Sequence, residues 1–143
     1  MQGNMLIETS RFGTLDLEEK VFIEFPWGIP GFEQVKRYVI LEHRQGPFQW
    51  LQAVEEPGLA FVVCKPEVLG FQYCVPPEKG APISLKASAD LVVLVMVSFD
   101  REQKRISPHR RGPLLFNSSS RLAYQWSMDE EEFNKYTCEL EEK

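Results

Sequence analysis

The stretch EFPWGIPGFEQV, from Glu24 to Val35, contains two prolines, two glycines, two phenylalanines and a tryptophan. It follows an apolar run that is typical of a β-strand. Gly28 and Gly31 can adopt backbone angles that other residues avoid. Pro26 and Pro30 fix φ and reduce the entropy that is lost when the turn becomes ordered. The stretch therefore predicts a rigid corner in the chain.

A rigid corner can hold apolar side chains partly exposed at a low entropic cost of binding, which suits contact with a partner. The candidate contact residues at this corner are Trp27, Ile29, Pro30, Phe32 and Glu33. The alternative is structural, with Phe32 closing one end of a barrel. Both roles are compatible if Phe32 points inward and Trp27 points outward.

On both sides of the corner the sequence favours short strands separated by turn residues such as Gly46-Pro47, Pro57-Gly58 and Pro76-Pro77. The predicted strands are Met5–Thr9, Lys20–Phe25, Arg37–His43, Phe48–Val54, Leu59–Lys65, Phe71–Val75, Asp90–Phe99, Gly112–Asn117 and Arg121–Met128. Strands that recur about every 10–12 residues, without alternating helices, indicate an all-β sandwich or barrel.

Two of these strands show informative side-chain patterns. The run LVVLVMV, Leu91–Val97, is continuously apolar and predicts a strand buried on both faces. It is too short for a membrane span, which takes about 20 residues. In the strand that begins at Arg121, alternate residues are apolar and should share one face. They are Leu122, Tyr124, Trp126 and Met128.

The segment DEEEFNKYTCEL, Asp129–Leu140, predicts the only helix that the pattern supports strongly. Asp129 suits the N-cap and Glu132 suits the N3 position of a capping box, while Met128 and Phe133 suit a hydrophobic staple. Phe133, Tyr136 and Leu140 would share one helix face. We expect this helix to pack over the end of a barrel or the edge of a sheet; the alternative is a helix that binds a partner.

Size and composition predict one domain over residues 1–143. The net charge is −5, which disfavours nucleic acid as a direct partner and favours a basic protein. Three cysteines without a CxxC pair predict reduced and mostly buried thiols in a cytoplasmic protein. The first residues lack a secretory signal pattern, and no membrane partner is expected.

No pattern of catalytic or metal-binding residues is evident. The chain has two histidines, His43 and His109, which are too few for a typical zinc site. Ser107 lies near His109, but no nucleophile elbow accompanies it. GIPGFE lacks the lysine and the following helix of a phosphate loop. We therefore expect a protein that is not an enzyme, without a metal ion or a cofactor.

The basic run KRISPHRR, Lys104–Arg111, predicts a solvated hairpin loop. Arg110 and Arg111 are candidate contact residues at the rim of a protein interface. The alternative is a β-barrel that binds single-stranded nucleic acid through this run, although the run lacks the interleaved aromatic residues that such proteins use for stacking.

The stretch FPWGIPGFEQVKRYVILEH, Phe25–His43, resembles the N-terminal signature of the FliW family of bacterial flagellar assembly factors. The similarity continues in Pro47-Phe48, Leu51-Gln52 and LAFVV, Leu59–Val63. A second similar segment, RRGPLLFN, contains Arg111, Pro113 and Asn117. The resemblance covers roughly Phe25 to Gln125.

This resemblance implies an antiparallel, barrel-like β-domain without catalytic activity. It also implies that flagellin and a CsrA-type translational repressor are partners in the cytoplasm. Free FliW would capture the repressor after flagellin has been exported, so that one protein is shared between two ligands.

Overall fold

The computed structural model describes residues 3–42 and 46–140, which form twelve strands and one α-helix. The strands are β1 (Asn4–Thr9), β2 (Gly13–Glu18), β3 (Ile23–Glu24), β4 (Arg37–Glu42), β5 (Phe48–Ala53), β6 (Ala60–Cys64), β7 (Phe71–Tyr73), β8 (Leu91–Asp100), β9 (Arg105–Pro108), β10 (Leu114–Asn117), β11 (Leu122–Gln125) and β12 (Thr137–Glu139); helix α1 is Glu130–Tyr136. The mostly-β, barrel-like fold predicted from the sequence is confirmed.

The centre of the fold is a ring of strands in the order β10-β11-β3-β4-β5-β6-β8, which closes because β8 also pairs with β10. The pairings are antiparallel except for the short parallel contact between β3 and β11. At that contact the Glu24 N–H donates to the Arg121 carbonyl at 2.9 Å. The Arg121 guanidinium also donates to the Val21 carbonyl at 2.6 Å, which reinforces the weakest junction of the ring.

The ring encloses the main hydrophobic core, because alternate residues along each strand point inward. Its members come from all parts of the ring and include the corner residues Phe25 and Ile29. The other buried members are Ile23, Tyr38, Leu51, Ala53, Val63, Leu94, Leu114, Phe116 and Ala123. The corner is therefore anchored in the centre of the molecule.

Two further cores lie outside the ring. The β1–β2 hairpin covers one of them, in which Ile7 packs with Phe22, Val39 and Val54. The other surrounds Ile83, Leu115, Trp126 and Met128, and helix α1 packs against it.

Strand β8 contributes to two cores, which explains its continuous apolar run. Val92, Leu94 and Met96 face the interior of the ring, whereas Leu91 and Val93 pack against the outer core near α1. Leu94 and Val95, at the centre of the run, are buried. The predicted burial on both faces is therefore correct at the centre of the strand.

Helix α1 begins as predicted and ends earlier. The Asp129 carboxylate accepts from the Glu132 N–H at 2.7 Å, and the Glu132 side chain accepts from the Asp129 N–H at 3.3 Å. The helix stops at Tyr136, because the β-branched Thr137 begins β12, which pairs with β7. Leu140 is therefore exposed and does not share a helix face with Phe133, contrary to the prediction.

Several strand predictions were incomplete. The strands β2, β9 and β12 were not predicted, and Lys20 belongs to a short 3-10 turn. The predicted hairpin loop Lys104–Arg111 contains β9. The predicted strand end at His43 lies outside the described residues.

The cysteine prediction was wrong in part. Cys64 is buried, but Cys74 and Cys138 are exposed beside the short β7–β12 ladder. Within residues 3–42 and 46–140, no helix combines the length and apolarity that a membrane crossing requires.

Candidate partner-binding site

The corner at residues 25–35 is held by its own backbone. The Phe25 N–H donates to the Lys36 carbonyl at 2.7 Å, the Gly28 N–H donates to the Phe25 carbonyl at 2.8 Å, and the Phe32 N–H donates to the Ile29 carbonyl at 2.7 Å. Gly28 has a φ of +69°, and a Cβ atom there would lie 2.5 Å from the Glu33 Cα atom. Only glycine fits this position.

Glu33 stabilises the second half of the corner. Its carboxylate accepts from the Gly31 N–H at 3.0 Å, across a turn in which Gly31 has a φ of +91°. The hydrogen bonds from the Gly31 and Glu33 backbone N–H groups lower the pKa of this carboxyl below its usual value. Glu33 therefore presents a negative charge that the corner fixes in position.

The corner exposes two of the three apolar side chains that we expected at its surface. Trp27 is 58% exposed and Phe32 is 42% exposed. Ile29 is only 1% exposed, so the prediction that it is a contact residue was wrong. Its side chain fills the interior of the ring, because Ile29 lies on the inward side of the tight turn that pairs it with Phe32. Pro30, at the tip, is exposed.

The two exposed aromatic rings are supported by contacts beneath them. Phe32 meets Phe61 edge-to-face at 5.3 Å, and Phe61 in turn meets the buried Tyr38 at 6.2 Å. Trp27 meets Tyr124 of β11 edge-to-face at 6.3 Å. Such contacts limit the rotamers available to each ring, so less entropy is lost when a partner covers it. Phe32 thus packs on the ring of strands and remains exposed, and it does not point inward.

An open groove of about 610 Å³ lies beside Phe32. Its walls come from the corner and from the turn between β5 and β6. The lining residues are Gly31, Phe32, Glu33, Gln34, Val35, Glu56, Gly58 and Leu59. The lining contains two carboxylates and no basic side chain, which favours a ligand that combines an apolar group with positive charge.

Arg110 and Arg111 lie apart from this groove, in the segment between β9 and β10. The guanidinium of Arg110 stacks at 4.7 Å over the ring of Phe71, and the Arg111 Nε–H donates to the Met128 carbonyl at 3.3 Å. They line a separate depression of about 510 Å³ with His109. The groove beside Phe32 and this depression have no lining residue in common.

Sequence reasoning missed one wall of the groove. Glu56, Gly58 and Leu59 follow β5 and face the corner only because β4 and β5 pair in the ring. The dipeptide Pro57-Gly58 indicated a turn, but no local pattern indicated that this turn would lie beside the corner. Tyr124, which supports Trp27, was assigned to the correct face of its strand but not to this contact.

The groove beside Phe32 has few ionisable groups. Its ionisable members are the two carboxylates, Glu33 and Glu56, and the rest of its lining is apolar or neutral. Within residues 3–42 and 46–140, no group of three or more His, Cys, Asp or Glu side chains is placed to hold a metal ion.

These features define a barrel-like β-domain with a rigid, aromatic and acidic corner. A family model described as FliW protein matches residues 6–138. This chain belongs to the FliW family.

Individual relatives agree with this assignment. The chain is 32% identical over 142 residues to a protein from Alkaliphilus metalliredigens that is named flagellar assembly factor FliW. The aligned region covers 96% of this chain and 88% of the relative. A protein of the same name from Geotalea uraniireducens is 35% identical over 135 residues, with 90% of this chain and 80% of the relative covered.

The fold has a solved counterpart. A crystal structure of the flagellar assembly factor FliW superposes with a TM-score of 0.79 at 24% sequence identity, covering 88% of this chain and 90% of that chain. At this identity the likeness confirms the fold.

Proposed function

We propose that this protein is a non-enzymatic flagellar assembly factor of the cytoplasm, which binds flagellin and antagonises a CsrA-type translational repressor. The observation that carries the proposal is the family match over residues 6–138. The relatives described above are named flagellar assembly factors, which supports the role in flagellar assembly.

The corner supports a role as the contact site. An interface gains most of its affinity from a few large apolar side chains that are held in place before binding. Trp27 and Phe32 meet this condition, and Pro30 and Glu33 lie between and beside them. The two carboxylates of the groove suit a basic partner, which is the charge expected of an RNA-binding repressor.

The regulatory step is mass action. Each ligand weakens the binding of the other, so flagellin and the repressor compete for the same limited amount of this protein. The fraction of the protein that holds the repressor therefore rises when free flagellin falls. No covalent bond is made or broken, so the protein acts stoichiometrically.

The competing hypothesis, binding of single-stranded nucleic acid through Lys104–Arg111, has weaker support. The chain carries a net charge of −5, and affinity for nucleic acid comes largely from neutralising phosphates with basic side chains.

The substitution Trp27→Ala tests the site. We expect the affinity for flagellin or for the CsrA-type repressor to fall about 30-fold, which corresponds to about 2 kcal/mol for loss of an interface tryptophan. Isothermal titration calorimetry with each purified partner measures this change. The thermal melt should barely move, because Trp27 is mostly exposed.

Leu6→Ala is the matched control, because Leu6 is 65% exposed on β1 and lies outside the corner. It should leave both affinities unchanged. Equal affinities for wild type and Trp27→Ala with both partners would reject Trp27 as a contact residue.

A further inference from the structure

The β8–β9 hairpin extends past the ring of strands and has a free edge. Strand β8 pairs with β6 only as far as Val97, and its last residues, Ser98 to Asp100, pair with β9 alone. Within residues 3–42 and 46–140, no strand pairs with the other side of β9. A free edge presents unpaired backbone groups to a second chain.

The register shows which groups these are. The His109 N–H donates to the Met96 carbonyl at 2.7 Å, so His109 faces β8. Along an antiparallel strand, the backbone N–H and C=O groups of successive residues point alternately to one side and to the other. The backbone groups of Ile106 and Pro108 therefore point toward the free edge. Proline has no N–H. The edge therefore offers one donor, the Ile106 N–H, and two acceptors, the carbonyls of Ile106 and Pro108.

Apolar side chains lie beside this edge. Phe99 and Ile106 are directly opposite each other in the ladder and are 62% and 47% exposed. They border a depression of about 270 Å³ on the outer face of the sheet, which is almost wholly apolar. Its other lining residues are Phe48, Trp50, Val62, Val97 and Ser98.

The charge beside the edge is net positive at both ends, although at the hairpin end Asp100 and Glu102 offset part of it. Lys104 and Arg105 precede Ile106, and Arg110 and Arg111 follow Pro108 in a bulge between two stretches that pair with β8. None of these four side chains forms an ion pair with a carboxylate of the described residues. Arg110 and Arg111 are already held by Phe71 and by the Met128 carbonyl, so little order is lost when they bind an anion.

We propose that β9 is a docking strand for an extended, acidic peptide segment of another protein, which adds to the sheet at this edge. Charges and prolines on an edge strand ordinarily prevent unwanted pairing. Cations at both ends repel basic strands and attract acidic ones, so here they select the partner. Backbone hydrogen bonds to Ile106 and Pro108 give the peptide its direction, and alternate apolar side chains cover Phe99 and Ile106.

The probe is a blocked eight-residue peptide that alternates glutamate and valine, and it is titrated into the full chain at low ionic strength. We expect measurable binding, slower exchange of the Ile106 amide proton, and no binding of the lysine–valine counterpart. Arg105→Glu should weaken binding about tenfold or more. The matched control Lys86→Glu, at an exposed lysine elsewhere, should not.

Two N-methylated forms of the probe test the backbone hydrogen bonds without changing the protein. Methylation on alternate residues removes the N–H groups of one edge of the peptide only. One of the two forms should lose binding and the other should keep it. The proposal is overturned if the probe does not bind, if both forms bind equally, or if Arg105→Glu has no effect. It is also overturned if oligouridylate displaces the peptide and binds more tightly, which would assign the surface to nucleic acid.

Discussion

Gly28 and Gly31 both have positive φ angles, but only Gly28 is also enclosed by its neighbours. A Cβ atom at Gly28 would lie within 2.5–2.9 Å of the Glu33 backbone, whereas a Cβ atom at Gly31 would meet nothing within 4 Å. The strain of a side chain at positive φ costs about 1–2 kcal/mol at either position. A clash with backbone atoms adds to that cost only at Gly28.

We therefore expect Gly28→Ala to lower the free energy of unfolding by about 3 kcal/mol or more, and Gly31→Ala by about 1 kcal/mol. Urea denaturation of the two variants and the wild type measures the difference. Similar losses for both variants would mean that the corner relaxes around Gly28 and is less rigid than the structure indicates.

The ring and the hydroxyl of Tyr38 differ in their contacts, because only the ring is well packed. The side chain is completely buried in the central core, and its hydroxyl has no hydrogen-bond partner among the described residues. Burial, with the nearby Glu55 charge second, raises the pKa of Tyr38 to about 12. Because the folded state keeps this proton, its stability falls as pH rises above the usual tyrosine value of about 10 and toward 12.

Tyr38→Phe removes an unsatisfied polar group and keeps the ring contacts with Phe25 and Phe61. We expect the melting temperature at neutral pH to stay the same or rise by a few degrees, because the variant no longer buries a hydroxyl without a partner. Differential scanning calorimetry measures this. A clear fall in melting temperature would show that the hydroxyl has a partner, such as a buried water molecule.

At the scale of elements, helix α1 depends on its first turn. It has seven residues, which is too short to be stable alone, and it is held by the capping box and by packing on the outer core. Asp129→Ala should lower the free energy of unfolding by about 1 kcal/mol, because it removes the acceptor for the Glu132 N–H.

Glu131→Ala is the control for this substitution, because Glu131 is an exposed first-turn acid outside the capping box. Chemical denaturation of both variants gives the comparison. If Glu131→Ala is as destabilising as Asp129→Ala, the effect belongs to the charge of the first turn and not to the cap.

The elements that could be predicted from the sequence are those whose cause is local. The corner, the strands Phe48–Ala53 and Leu114–Asn117, and the N-cap at Asp129 follow from glycine, proline, side-chain alternation and capping chemistry. The strands β9 and β12 were missed because they lack an apolar alternation. Strand β9 forms because it pairs with the preceding strand β8 in a hairpin, and β12 forms because it pairs with β7, which is distant in sequence.

The same distinction applies to the candidate site. The exposure of Trp27 follows from the rigid turn, whereas the burial of Ile29 depends on which side of the turn faces the ring. Glu56 and Leu59 join the groove through strand pairing, which a single sequence does not reveal. The helix end was wrong because Thr137 pairs with Tyr73, a long-range contact.

In the whole molecule, one closed ring supports surfaces of opposite charge. The groove at the corner is lined by Glu33 and Glu56, and the depression after β9 is lined by Arg110 and Arg111. Because the ring has a core inside and two cores outside, each surface rests on packed residues. Such an arrangement suits a protein that recognises others by shape and charge. That residues 1–143 form a single domain stays a prediction.

The proposed function requires that this protein is shared between two ligands. The most direct measurement is a calorimetric titration of the CsrA-type repressor into the purified protein, with and without saturating flagellin. We predict binding in the absence of flagellin and an affinity at least about tenfold weaker in its presence, a coupling of about 1.4 kcal/mol. The same affinity in both titrations, or no binding of either partner, would rule out partner switching by this protein.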